Sequence, residues 1–255
     1  MITRMDFNSG GKVQIGVAAS ARRWWNDVSA REGVWAANRK LLAELWDFIC
    51  DSTPERRRRR YGDAECDWEH RVDTTSGTVG WRERLLGLFH SPYQPTDAAL
   101  FHEMLGDLQR RVACDLQEFS FIDLGSGKGR PLLMAADYPF KQIVGVELLP
   151  QLHRAAQQNI AGYKSESQKC FAIESICADA AEFVFPHQPI VLYLFNPLPE
   201  SGLRQVLANL TQSLRSKWRA VYIVYHNPLL ERVLVESAAF RKISGTHQYV
   251  VYAAQ

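Results

Sequence analysis

Apolar and polar residues follow two different patterns along the chain, and the pattern changes near residue 91. From Pro92 onward, short apolar runs typical of buried strands are separated by stretches whose apolar residues recur every three or four positions, as on one helix face. Because parallel strands need a crossover connection, this alternation predicts a parallel sheet with helices on both faces. The predicted strands contain FSFIDLG, QIVGVELL, CFAIESICADA, IVLYLFNP and AVYIVYHNP.

Amphipathic helices are predicted around these strands. The last of them covers LLERVLVESAAF, and the first has one apolar face, formed by Phe101, Met104, Leu105, Leu108 and Val112. Thr96 and Asp97 are placed to cap the first helix, and Pro131 lies in the first turn of the second, where a missing N–H does no harm. The last segment, FRKISGTHQYVVYAA, predicts two strands around a turn at Gly245. The predicted fold class is α/β: a doubly wound, mostly parallel seven-stranded sheet with helices on both faces and a C-terminal antiparallel hairpin.

The first 90 residues have a different pattern. The stretch from Ala21 to Cys50 has a helical apolar stripe and carries four of the seven tryptophans. We expect a mainly helical N-terminal extension over residues 1–90, either a cap that closes over a substrate or an appendage packed on the main domain. The main domain is expected to span residues 91–255.

Composition limits the kinds of partner. The 255 residues are 46% hydrophobic and 23% charged, as in ordinary globular proteins, and 30 basic against 28 acidic residues give +2, too little for a general attraction to nucleic acid or membrane. A basic run at residues 55–62, ERRRRRYG, is followed by acidic residues that we expect to neutralise it. Five cysteines without a Cys-x-x-Cys pair indicate neither a zinc site nor a disulfide framework, and no apolar run reaches the roughly 18 residues of a membrane span. These features favour a cytoplasmic protein.

The segment FIDLGSGKGRPLLMAA carries the first candidate site. Gly125, Gly127 and Gly129 remove side chains from a turn between a strand and a helix, so that backbone N–H groups can approach a ligand. A Walker loop would need Ser or Thr after Lys128. A dinucleotide fingerprint would need glycine where Arg130 stands.

An acidic residue, Asp123, precedes this glycine pattern, and here the chain resembles the class I S-adenosylmethionine-dependent methyltransferases. An acid beside the turn suits a cationic ligand and would repel a pyrophosphate. Glu147 ends the next strand, 22 residues after Gly125, near the spacing at which an acid binds ribose hydroxyls. The segment CADAAEF resembles the family's adenine-contacting motif, in which Asp179 would accept from the adenine amino group; a helix cap is the alternative for Asp179. The resemblance implies an S-adenosylmethionine site formed by Asp123, Gly125, Ser126, Gly127, Gly129, Glu147, Leu148, Asp179, Ala180 and Asn196.

The fourth and fifth strands end in Asn-Pro pairs. Asn196, in Asn-Pro-Leu-Pro, resembles the Asn-Pro-Pro-aromatic motif of amine-methylating members, but it lacks the second proline and the aromatic residue, so nitrogen is only slightly favoured as acceptor. We expect Asn196 to orient the nucleophile. His226 is a candidate general base, with a packing role as the alternative. Asn227, beside it, either lines the same crevice or turns the chain.

A segment before the first motif, SPYQPTD, resembles a Tyr-x-Pro-Thr element of a bacterial methyltransferase group that carries DLGSGKGR and YLFNP-type motifs. The resemblance places Tyr93 and Thr96 at the rim of the cofactor pocket, with a turn and helix cap as the alternative. The upstream VDTT run also resembles that group and suggests no role.

The predicted function is methyl transfer from S-adenosylmethionine to an unidentified acceptor, with S-adenosylhomocysteine as by-product. A small-molecule or protein acceptor is favoured over nucleic acid because the net charge is nearly zero. Two alternatives stay open: an NAD(P)-dependent oxidoreductase on the same sheet, and a non-enzymatic binding protein with this fold. The sequence does not indicate an oligomeric state.

Overall fold

The structure, a computed structural model, describes residues 33–50, 96–112 and 115–255 continuously, together with residues 22, 25, 26, 28–31, 72 and 74. Tyr93 and the basic run at 55–62 lie outside the described residues. None of the helices in the described ranges is both long and apolar enough to cross a membrane.

Seven strands form one sheet in the order β3-β2-β1-β4-β5-β7-β6. Strands β1 to β5 are parallel, and β7 runs antiparallel to both β5 and β6. The predicted sheet and C-terminal hairpin are therefore confirmed. The strands are β1 (Ser120–Leu124), β2 (Gln142–Glu147), β3 (Ile173–Cys177), β4 (Ile190–Leu194), β5 (Val221–His226), β6 (Phe240–Gly245) and β7 (Tyr249–Ala254).

Six helices are described beside the sheet strands. They are α1 (Val34–Cys50), α2 (Ala98–Arg111), α3 (Arg130–Ala135), α4 (Pro150–Gly162), α5 (Glu200–Ser216) and α6 (Glu231–Val235), with short 3-10 turns at Leu116–Glu118 and Ala180–Glu182. Of the two predicted capping residues, Asp97 is the cap of α2: its side chain accepts a hydrogen bond from the backbone N of Leu100 at 2.8 Å. Thr96 precedes the cap. Helix α6 is shorter than its apolar pattern suggested, because Phe240 is buried as the first residue of β6.

The strands bury both faces of the sheet. On one face Ile122 and Leu124 of β1 pack with the buried side of α5; on the other, Phe121 packs with the buried side of α2. Strands β1 and β4 are neighbours, and the strand order reverses on either side of them. In parallel α/β sheets such a switch point opens a crevice at the carboxyl ends of the strands, where ligands bind.

Candidate functional site

The glycine loop joins β1 to α3 and is bonded to β2. The backbone N–H groups of Gly125 and Ser126 both donate to the carbonyl of Val146, at 2.8 and 3.1 Å. All three glycines of the motif have positive φ. Gly125, at φ 85°, also packs so closely on Pro197 of the Asn-Pro-Leu-Pro segment that a Cβ there would overlap the proline ring. The loops after β1 and β4 are therefore in contact.

Glu147, at the end of β2, is bound to the glycine loop by its carboxylate. One oxygen accepts from the backbone N of Gly127 at 2.7 Å, and the other accepts from the backbone N of Leu149 at 2.8 Å. The side chain is buried, with the residue 6% exposed. Burial raises the pKa of Glu147, and these backbone N–H groups partly oppose the rise. Each carboxylate oxygen can accept a further hydrogen bond from a ligand.

Asp123, at the end of β1, is 1% exposed. Its Oδ2 has no hydrogen-bond partner among the described residues, and the same holds for Oγ of Ser126 in the glycine loop. Burial, and after it the negative charge of Glu147, raise the pKa of Asp123 well above its ordinary value. A buried carboxylate without a partner is costly, so a cation placed against it would be strongly favoured.

The end of β3 brings a third acid to the same edge of the sheet. Asp179 caps the 3-10 turn Ala180–Glu182, with its Oδ1 accepting from the backbone N of Ala181 at 2.9 Å. Ala180 is buried, and Leu148, after the end of β2, is partly buried. Both alternatives considered for Asp179 are compatible with this geometry: the cap is present, and a contact with adenine stays a prediction.

The two Asn-Pro corners are hydrogen-bonded to each other. Asn196 and Asn227 both have a φ of 47°, in the left-handed region. Nδ2 of Asn196 donates to the carbonyl of Asn227 at 2.7 Å, and Oη of Tyr225 donates to Oδ1 of Asn196, also at 2.7 Å. The segments that follow β4 and β5 are thus joined by a hydrogen bond at the edge of the sheet.

His226, at the end of β5, is buried. Its Nδ1 lies 2.9 Å from Oη of Tyr193, and its ring stacks on Phe195 with 3.9 Å between centroids. Burial lowers the pKa of His226 to about 4, against a small opposing effect of the Asp97 charge. A neutral imidazole can accept a proton, but a low pKa makes it a weak base. The contacts describe a packed residue, and the catalytic role stays a prediction.

Thr96 belongs to the same buried hydrogen-bond network as Tyr193 and His226. Its Oγ1 lies 3.2 Å from Oη of Tyr193, and its carbonyl accepts from Nε of Arg130 at 2.8 Å. Nη1 of Arg130 also donates to Oγ1 of Thr74 at 3.1 Å, and all of these residues are buried.

The sequence patterns assign no role in the site to Arg130, Thr74 or Tyr193. Arg130 counted there only against a dinucleotide, although its side chain connects the start of α3 to two points upstream. The VDTT run, which contains Thr74, was the one signal in the sequence that could have pointed to this contact.

Comparisons with solved structures find proteins that are similar to part of this chain. The chain is similar to an RNA methyltransferase from Salinibacter ruber in complex with S-adenosyl-L-homocysteine (22% identity, 63% of this chain, 92% of that one, TM-score 0.42). It is also similar to a dimethyladenosine transferase from Plasmodium falciparum (11% identity, 64% of this chain, 62% of that one, TM-score 0.44). A third similar structure is TrmN from Thermus thermophilus (17% identity, 62% of this chain, 49% of that one, TM-score 0.43). Likeness at this level does not extend to the substrate. No family model and no curated protein matches the chain.

Proposed function

We propose that this protein is an S-adenosylmethionine-dependent methyltransferase. The observation that carries the proposal is the pair of buried carboxylates at the ends of β1 and β2, on either side of the glycine loop. Asp123 and Glu147 are both buried, and burial raises the pKa of each. A site of this kind favours a ligand with positive charge and hydroxyl donors over one with a pyrophosphate.

S-adenosylmethionine fits these donors and acceptors. Its ammonium group would supply the partner that Oδ2 of Asp123 lacks among the described residues. Its ribose hydroxyls would donate to Glu147, whose oxygens keep acceptor capacity beside their backbone bonds. The adenine would lie near Asp179 and Ala180, beside Leu148. The glycine loop, with Ser126, would border the ligand with backbone alone.

When bound, the cofactor supplies a methyl group on a sulfonium, which a nucleophile can take up directly. The protein then contributes mainly position and the exclusion of water. Asn196 lies after β4, where Pro197 contacts the glycine loop, so it would orient the acceptor. His226 or a water molecule would accept a proton if one must leave. Thr96, bonded to Arg130 and Tyr193, would hold the rim in place.

Labelled methyl transfer tests the proposal. The full chain is incubated with methyl-labelled S-adenosylmethionine and cell extract separated into RNA, protein and small-molecule pools. We expect label in one pool, and its loss when Asp123 is replaced by Asn. Absence of label from all three pools would contradict the proposal, and the labelled pool would identify the class of acceptor.

A further inference from the structure

We infer that Tyr225 is a positioning residue that holds the side-chain amide of Asn196 in one orientation toward the methyl acceptor. This inference rests on the proposed function, since it assigns the support of a residue placed at the acceptor end of that site. Tyr225 lies on β5, while Asn196 follows the neighbouring strand β4. The contact therefore crosses between the two strands whose ends would meet the acceptor.

The hydrogen bonds of Tyr225 determine the direction of its hydroxyl group. Oη accepts from the backbone N of Leu230 at 3.3 Å, which leaves its single hydrogen to point at Oδ1 of Asn196, 2.7 Å away. Burial raises the pKa of Tyr225 to about 12, so the hydroxyl stays protonated at neutral pH. Tyr225 is thus a permanent donor at this position.

The other end of the amide is held by the second Asn-Pro corner. Nδ2 of Asn196 donates to the carbonyl of Asn227 at 2.7 Å. A flipped amide would face that carbonyl with its own oxygen and would face the hydroxyl of Tyr225 with an N–H, so both contacts favour one orientation. The backbone of Asn196 is constrained as well, with a φ of 47° and Pro197 packed against Gly125.

The held amide keeps one hydrogen-bonding group at each end. Oδ1 can accept one more hydrogen bond, and Nδ2 has one more hydrogen to donate. Asn196 is partly buried, so it borders the crevice without being sealed in it. Without Tyr225 the amide would be attached at one end only and could rotate. Misplacement of a group that orients a reactant lowers the rate of reaction more than it lowers binding.

The test is a double-mutant cycle on the full chain. Tyr225→Phe keeps the buried ring and removes the hydroxyl, and Asn196→Ala removes the amide. The readouts are the kcat and KM of labelled methyl transfer, using the acceptor pool that the wild type labels, and affinity for S-adenosylhomocysteine by calorimetry. The matched control is Tyr252→Phe. Tyr252 is another buried tyrosine of the sheet, and its hydroxyl donates to the carboxylate of Glu231 at 3.1 Å.

We expect Tyr225→Phe to lower kcat about tenfold with KM and cofactor affinity nearly unchanged. In the Asn196→Ala background it should have no further effect, because Tyr225 acts through Asn196. Tyr252→Phe should leave kcat as in the wild type. A crystal structure of the wild type with S-adenosylhomocysteine should show Oδ1 of Asn196 bonded to Oη of Tyr225.

Two results would overturn the inference while leaving the proposed function intact. One is wild-type turnover in Tyr225→Phe; the other is an equal loss from Tyr225→Phe with and without Asn196. If the wild type itself transfers no methyl group to any pool, the proposed function fails and the inference fails with it. Should the Phe variant not fold, a crystal structure with Asn196 turned away from Tyr225 would be enough to refute the inference.

Discussion

Asp123 shows how a single residue can oppose stability and support binding. Its carboxyl group is almost wholly buried, Oδ2 lacks a partner among the described residues, and the negative charge of Glu147 acts on it. Burying such a group costs free energy in the unliganded protein. A cationic ligand would recover that cost, so the same residue should carry a large share of ligand selectivity.

Replacement of Asp123 by Asn should therefore weaken the binding of S-adenosylhomocysteine, which keeps the amino group. We expect a loss of about tenfold or more, since hydrogen bonds to charged groups are worth roughly 1.5–3 kcal/mol. Calorimetric titration measures it. Asp115→Asn, at an exposed 3-10 cap where asparagine also caps, is the matched control and should bind as the wild type does. Equal affinity of Asp123→Asn and wild type would contradict the assigned role.

The pH dependence of unfolding should show how Asp123 affects the stability of the unliganded protein. The pKa of Asp123 is raised in the folded protein, so folding favours the protonated form of its carboxyl group. The stabilisation from this group is complete below the unfolded pKa of about 3.9 and is lost as the pH rises through the folded pKa. Asp123→Asn removes this loss. The variant should therefore gain stability relative to wild type as pH rises, in denaturant unfolding without ligand. Parallel curves for the two proteins would refute this.

At the scale of elements, local patterns predicted the strands and most helices. The apolar stripe Phe101, Met104, Leu105 and Leu108 is buried in α2 as its spacing indicated. The pattern after Pro228 predicted too long a helix, because periodicity does not show that Phe240 is needed in the sheet. Contacts between distant segments could not be predicted from local patterns. The hydrogen bond between Arg130 and Thr74, for example, joins residues 56 positions apart.

The contact between the loops after β1 and β4 can be tested at Gly125. Gly125→Ala would place a Cβ at a positive φ and against Pro197, so we expect the free energy of unfolding to fall by about 1–3 kcal/mol. Chemical denaturation measures the change. In the control, Gly106→Ala, the new Cβ lies in the interior of α2 near the movable end of Arg110 and should stabilise by roughly 0.5–1 kcal/mol. Equal changes in both variants would contradict this account of the loop.

At the scale of the whole molecule, an ion pair connects the N-terminal extension to the helices beside the sheet. Arg31 contacts Glu200, the first residue of α5, at 2.5 Å, and Arg204 and Arg232 bind the same carboxylate. Burial acts to raise the pKa of Glu200, but its hydrogen bond with Arg204 and the nearby arginine charges outweigh it and lower the pKa. Trp35, in the first turn of α1, is 84% exposed.

We propose that residues 91–255 form a domain that folds without the extension. A chain of these residues should unfold cooperatively and bind S-adenosylhomocysteine as the full chain does. Among the residues that the structure describes, the buried core clusters lie almost wholly within it. Loss of the Arg31 contact should cost no more than about 1 kcal/mol, since Arg31 is partly exposed. Thermal unfolding and calorimetry test both points. A truncated chain that aggregates or melts without cooperativity would refute the boundary.

The crevice at the ends of β1, β2 and β3 should accept a cationic nucleoside in preference to a dinucleotide. The most direct measurement is a pair of calorimetric titrations of the full chain, one with S-adenosylhomocysteine and one with NADH. We expect one binding site per chain for S-adenosylhomocysteine and no binding of NADH. Binding of NADH without S-adenosylhomocysteine, or of neither ligand, would contradict this expectation.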